Sequence, residues 1–273
     1  MQDLTNSTFI IPIRIESNDR LRNVITSLCY LLSNFETNII VREVDSESVF
    51  SDYALPQIEE FCEEKTNIIH IFEESDESSF HRQRVLNDML IESTTDVVVN
   101  YDCDILLPIE SYVSAYNMIL SGDYDLVYPY GDGLYQKQIF ADDQIVSDFL
   151  NNDFDFKILE NKSKDYDAKY GFCQFFNRRV YIDGGMENEN FVAYAPEDVE
   201  RFHRFKKLGY NIGRIDSTVY HLEHSRTQNS WFNNPFMKTN NDEWDKIQKM
   251  SSDILKDYIT NQPYYKRRIY GQK

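Results

Sequence analysis

The stretch Asp96-Val-Val-Val-Asn-Tyr-Asp-Cys-Asp104, running on into Ile105-Leu-Leu-Pro108, decides the fold of this chain. Its β-branched run predicts a buried strand, which ends by presenting two carboxylates, Asp102 and Asp104, one residue apart. In an α/β sheet, ligands bind at the carboxyl ends of the strands. Two carboxylates there repel each other unless a cation lies beside them. A divalent metal carrying a diphosphate is the natural candidate, because Mg²⁺ and Mn²⁺ favour oxygen ligands. Asp-x-Asp also arises by chance in a chain with 46 acidic residues, so the pair takes its meaning from what surrounds it.

Working outward, strand and helix patterns alternate. Strands are expected at residues 8–15, 38–44, 67–72 and 96–101, with helices at 18–35, 56–65 and 79–92 between them. Such alternation implies a mostly parallel, Rossmann-like central sheet flanked by helices. A helix at 108–121 and a strand at 125–130 follow. Residues 131–169 lose the pattern and read as a flexible, partly helical insertion bordering the site. A helix at 197–208, a strand at 211–220 and a final helix at 244–258 complete an α/β domain with a C-terminal helical excursion.

The 273 residues suffice for one large domain, and 14% aromatic content fits a packed globule. A net charge of −18 repels phosphate backbones, so nucleic acid is an unsuitable partner. Lys266-Arg267-Arg268 allows at most peripheral contact with an anionic membrane. The four cysteines form no C-x-x-C pair, and neither a signal peptide nor a spanning apolar run is visible. The expectation is a reduced, cytoplasmic protein, acting at most at the inner face of the membrane.

Four further segments carry chemistry. In His221-Leu-Glu-His224, two imidazoles three apart can face one metal. Glu197-Asp198 suits a helix N-terminus on dipole grounds alone; functionally, one carboxylate would be a general base and the other would bind hydroxyls. Arg82 and Arg84, near a helix start, can clamp a diphosphate. Pro12 and Arg14 end the first strand and Asp45 ends the second, where a nucleotide base and ribose would sit. There is no G-x-G-x-x-G and no Walker loop.

In order, these segments resemble a GT-A-fold glycosyltransferase, near the family 2 bacterial enzymes and more distantly the beta-1,4-galactosyltransferases and the chondroitin-polymerase type of catalytic domain. Ile11-Pro12-x-Arg14 resembles their Pro-Phe-Arg. Phe80-x-Arg82-x-x-x-Leu86-Asn87 resembles Phe-Asn-Arg-Ala-x-x-Leu-Asn, and Asp102-Cys-Asp104-Ile-Leu-Leu-Pro resembles Asp-Val-Asp-Leu-Leu-Pro. Gly184-Gly185, with Glu197-Asp198 after it, resembles Gly-Gly-Glu-Asp-Asp-Asp, and His224-Ser225-Arg226 resembles a metal-binding His-Ser-Arg turn.

The resemblance implies a UDP-sugar donor of a hexose or N-acetylhexosamine, and a saccharide or lipid-linked saccharide acceptor, in polysaccharide or glycoconjugate synthesis. It implies Mn²⁺ (or Mg²⁺) as cofactor, inversion at the anomeric carbon, metal ligands at Asp104 and His224, and a base at Asp198. His221 stands where the galactosyltransferases have a methionine ligand. Pro12, Arg14, Asp45, Arg82, Asp102 and Gly185 would meet the nucleotide sugar. The chain would be one domain over 1–273, with a nucleotide-binding half (1–108), an acceptor and catalytic half (109–240), and a C-terminal helix and basic tail (241–273). Phe191-Val-Ala-Tyr194-Ala-Pro196 replaces Trp-Gly-Trp-Gly-Gly, so sugar specificity does not carry over. The alternatives are a sugar-phosphate nucleotidyltransferase, whose Gly-rich basic loop is missing, and a non-catalytic carbohydrate-binding module on the same fold.

Overall fold

The computed structural model describes residues 1–63, 67–230 and 234–271. The decisive stretch forms β4 (Val97–Tyr101), a strand with every residue buried. It lies beside β1 (Gln2–Ile13), which pairs in turn with β2 (Phe35–Asp45), and β2 with β3 (Ile68–Glu74), all parallel. Phe9 sits opposite both Ile39 and Val99 at the centre of this register. Burying each such side chain stabilises by about 1.5–3 kcal/mol, so the apolar strands fix the sheet despite the acidic surface. Helices α1 (Asn18–Asn34), α2 (Leu55–Phe61) and α3 (Arg82–Glu92) make the crossovers, α2 being preceded by a π-helical turn at Phe50–Ala54. The last residues of the helix expected at 56–65 lie outside the described residues.

Beyond β5 (Ile105–Leu106) and α4 (Ile109–Leu120), β6 (Leu126–Tyr128) joins the same sheet. It does so through β9 (Cys173–Asn177), which runs antiparallel to both β4 and β6. With β10 (Ile212–Arg214) at the far edge, the seven strands are ordered β10-β6-β9-β4-β1-β2-β3.

The expected flexible insertion is folded. Residues 131–169 contain β7 (Gln136–Ile139), α5 (Asp143–Asn151), α6 (Phe156–Glu160) and β8 (Ser163–Tyr166). Phe149, Phe154 and Phe156 pack their rings around Tyr30 of α1, and this burial anchors the segment. The expected strand at 211–220 is also two strands. The chain turns at Ser217, whose amide donates to Ile215 O at 2.8 Å. It then continues as β11 (Val219–Leu222) in a second sheet ordered β5-β11-β7-β8.

After α7 (Arg178–Asp183) and α8 (Glu197–Lys207), the C-terminal region holds three helices, where one and a tail were expected. α9 (Met237–Gln248) stops because Ser251 caps a new helix, α10 (Ser252–Thr260), accepting from the Ile254 amide. The basic segment belongs to α11 (Pro263–Tyr270), which has Pro at its start and Gly271 in the left-handed region beyond its end. Tyr264 and Tyr265 are buried and Arg268 pairs with Asp88 at 2.7 Å, so this is a docked helix and no solvated tail. Among the described residues no helix is long and apolar enough to cross a membrane.

Candidate active site

The pairing of β5 with β11 builds the centre of the site. β5 follows directly on Asp104, and in the antiparallel register His221 lies opposite Ile105. The Leu222 amide donates to Asp104 O at 2.7 Å, fastening the two strands beside the carboxylate. Oδ2 of Asp104 thereby comes 3.1 Å from His224 Nε2 and 3.7 Å from His221 Nε2. One ligand atom from each of the three residues falls within 4.8 Å of the others. Burial would raise the Asp104 pKa, but the two imidazoles outweigh it and hold the carboxyl well below its ordinary value. A carboxylate with two imidazoles suits Mn²⁺ and other divalent transition metals, so the residues present fit such an ion.

A second layer orients these side chains. His224 Nδ1 lies 2.9 Å from Ser225 O. A carbonyl only accepts, so Nδ1 carries the hydrogen and Nε2 is the nitrogen that could bind a metal. Asp19 of α1 accepts from the Ser225 amide (2.6 Å) and hydroxyl (2.7 Å) and so pins the turn. Partial burial opposes its ionisation, yet hydrogen bonds from Ser17, Ser225 and the Arg20 amide bring it down to about 2. On the far side of His221, Glu223 Oε2 lies 3.6 Å from Nδ1, and its two oxygens are held by Gln138 (2.5 Å) and Arg226 (2.8 Å).

Asp102 does not face this trio in the same way. Its Oδ1 is paired with Arg82 at 2.5 Å, and its Oδ2 accepts from the Phe172 amide at 3.2 Å. Its pKa is raised, first by burial and then by Asp104 and Asp198, with Arg82 opposing. Arg82 also donates to Asn100 Oδ1 at 3.1 Å. Arg14 donates to the carbonyls of Val44 and Glu77, both at 2.8 Å, and keeps a buried Nη2 without a partner. Arg84 turns away to Glu73 and Asp88.

The third group is the start of α8. Asp198 Oδ1 meets Arg201 Nη2 at 2.9 Å. Arg201 has no exposed side-chain surface, and it is gripped by Glu187 (2.6 and 3.0 Å) and Gln174 (3.0 Å). Glu187 also accepts from Tyr181 at 2.6 Å. Burial disfavours its charge, but Arg201 outweighs that and keeps it low. The other oxygen of Asp198 lies over Gly171, where a Cβ would approach Oδ2 to 3.1 Å. Beside it, Glu197 is pushed up to about 8, first by burial and next by the charge of Asp198. Phe172 and Ala193, flanking this corner, have φ of 70° and 58°, at a cost of about 1–2 kcal/mol each.

One cleft of about 350 Å³ unites Pro12, Arg14, Arg82, Asp102, Asp104, Glu197, Asp198, His221 and His224. Besides Arg84, two expected residues lie elsewhere. Gly185 is buried against Ile259 and Arg204, beneath α10, and Asp45 turns its Oδ1 to the Ser46 amide. Arg201, Glu187 and Gly171 escaped the sequence reading, although Arg201 follows Asp198 at helical spacing.

The chain superposes on the mannosyltransferase PcManGT from Pyrobaculum calidifontis, solved with GDP-Man and Mn²⁺, with a TM-score of 0.50 at 15% identity. That match covers 80% of this chain and 56% of the other. It also superposes on GalNAc-T7, solved with UDP, GalNAc and Mn²⁺, with a TM-score of 0.55 at 12% identity. Here the coverage is 94% of this chain and 52% of the other. The fold is GT-A. Within the GT-A fold the chain spans about half the length of these two structures. No protein-family model and no curated protein matches the sequence.

Proposed function

We propose that the chain is a metal-dependent, inverting glycosyltransferase that moves a hexose or N-acetylhexosamine from a UDP-sugar to a saccharide hydroxyl. The observation that carries this reading is the convergence of Asp104, His221 and His224 in one cleft with the Glu197–Asp198 pair, at the carboxyl ends of the strands. The two GT-A structures were solved with a nucleotide or nucleotide sugar and Mn²⁺, which supports the same chemistry.

Asp104, His221 and His224 would hold the ion. When bound, it supplies positive charge against the diphosphate leaving group. Asp102, fixed by Arg82, would accept from ribose or donor-sugar hydroxyls, and Arg14 would offer its unpartnered Nη2 to the nucleotide. Asp198 Oδ2 would take the proton from the acceptor hydroxyl. As the new bond forms from the acceptor oxygen to the anomeric carbon, the bond from the anomeric carbon to the diphosphate would break on the opposite face.

The test is a panel of UDP- and GDP-sugars incubated with the whole chain, with Mn²⁺ or with a chelator, scored for nucleotide release. Metal-dependent cleavage of at least one UDP-sugar is expected, accelerated by a saccharide acceptor. Consumption of a sugar 1-phosphate with a nucleoside triphosphate, and no cleavage of any nucleotide sugar, would instead identify a nucleotidyltransferase. The layer behind His221 gives a further expected result. Exchanging Glu223 for glutamine removes the charge facing Nδ1 and should weaken Mn²⁺ binding by about 10- to 100-fold, measured by electron paramagnetic resonance. Unchanged affinity would show that the imidazole needs no carboxylate behind it.

A further inference from the structure

The first turn of α8 offers two adjacent carboxyls to one cleft, and their surroundings differ. Asp198 has a cation, Arg201, at 2.9 Å. Glu197 lines the same cleft, is 8% exposed, and holds an Oε2 that is buried without a hydrogen-bond partner. An ionised carboxylate removed from water in that way is far more costly than the neutral acid.

The groups that face Glu197 are Asp198 and Arg201 of its own helix, Arg82 of α3, and Tyr194 of the segment entering α8. Asp198 opposes a second negative charge beside it. Arg82 and Arg201 favour one, but Arg82 is engaged by Asp102 and Asn100, and Arg201 by Glu187, Asp198 and Gln174. Tyr194 is itself held in its neutral phenol form, by burial and then by these same carboxyls. Burial and Asp198 together carry Glu197 from 4.5 to about 8.

We propose that Glu197 works as a neutral carboxylic acid whose O–H donates a hydrogen bond to an oxygen of the bound sugar, leaving Asp198 as the ionised base. This rests on the glycosyltransferase reading above. An ionised carboxylate only accepts, whereas the acid also donates. The Glu197 acid thus recognises a sugar oxygen that has no hydrogen to give, such as a ring, glycosidic or amide oxygen. Two neighbouring carboxyls divide the roles because their surroundings differ: Asp198 meets the Arg201 guanidinium, whereas Glu197 is buried with an oxygen that has no partner.

The donating form exists below about 8 and is lost as pH rises through that value. For the wild-type chain, kcat/KM is therefore expected to fall on the alkaline side with an apparent pKa near 8. Glu197→Gln keeps the shape and supplies an N–H donor. It should lose no more than about ten-fold and lack the alkaline fall, whereas Glu197→Ala should lose about ten- to a hundred-fold. An activity-independent reading is the infrared difference spectrum of wild type minus Glu197→Gln at neutral pH. It should contain the C=O stretch of a protonated carboxyl, disappearing as pH rises through about 8. A carboxylate band in its place, or a Gln variant as damaged as the Ala variant, would overturn the proposal. The protonated band in a wild-type chain that transfers no sugar would overturn the transferase reading and leave the neutral acid standing.

Discussion

Replacing Asp198 with asparagine is expected to lower kcat by about 10²- to 10⁴-fold, the range that a positioned general base contributes. At about 1.4 kcal/mol per decade this corresponds to roughly 3–5 kcal/mol of lost transition-state stabilisation. The substitution is clean because the amide oxygen can still accept from Arg201 Nη2, which sits 2.9 Å from Oδ1. The buried guanidinium therefore keeps Glu187, Gln174 and one oxygen of residue 198 as partners. What is lost is the carboxylate oxygen over Gly171. Donor affinity should hold, because Asp104, His221, His224, Asp102 and Arg82 are untouched. Steady-state kinetics, with a separate donor titration, reads both quantities. Full turnover by the asparagine variant would remove Asp198 from the role of base.

How far the sequence revealed this site depends on the range of the interactions. The strand run 96–101 and the alternation around it depend on local apolar patterning, so the sheet was legible. The ends of β4 and α8 were legible too, since Asp102, Asp104, Glu197 and Asp198 lie at element boundaries that local signals mark. The small sheet was not legible. Its strands Gln136–Ile139 and Ser163–Tyr166 are polar and half-exposed, so they lack the alternation that marks a strand with one buried face. For that reason His221 was expected just past a strand, whereas it lies inside β11 and reaches Asp104 through the non-local pairing with β5. Arg201 and Glu187 escaped because charged side chains are almost never fully buried unless paired, and the pairing is itself tertiary. The break at Lys249 shows the opposite error: apolar periodicity ran on across a Ser cap that a strictly local reading would have favoured.

The largest expected effect on metal binding belongs to Asp104. Removing its carboxylate with alanine takes away the one anionic member of the trio, and the oxygen that both imidazoles approach. Loss of an outer-layer partner typically costs 10- to 100-fold in metal affinity, so loss of this ligand should cost more than about 100-fold. The fold should survive, because the backbone oxygen of residue 104 still accepts from the Leu222 amide and keeps β5 on β11. His221 and His224 also keep their outer contacts, through Glu223 for the first and Ser225 for the second. Asp102 is no equivalent substitute, since it is not part of the Asp104–His221–His224 cluster and its carboxylate is oriented by Arg82 and the Phe172 amide. Calorimetric titration of Mn²⁺ into the two proteins, with circular dichroism to check the fold, separates a lost site from a lost structure. If the alanine variant bound Mn²⁺ as tightly as the wild type, the ion would have to lie elsewhere, and the pairing of β5 with β11 would then be structural only.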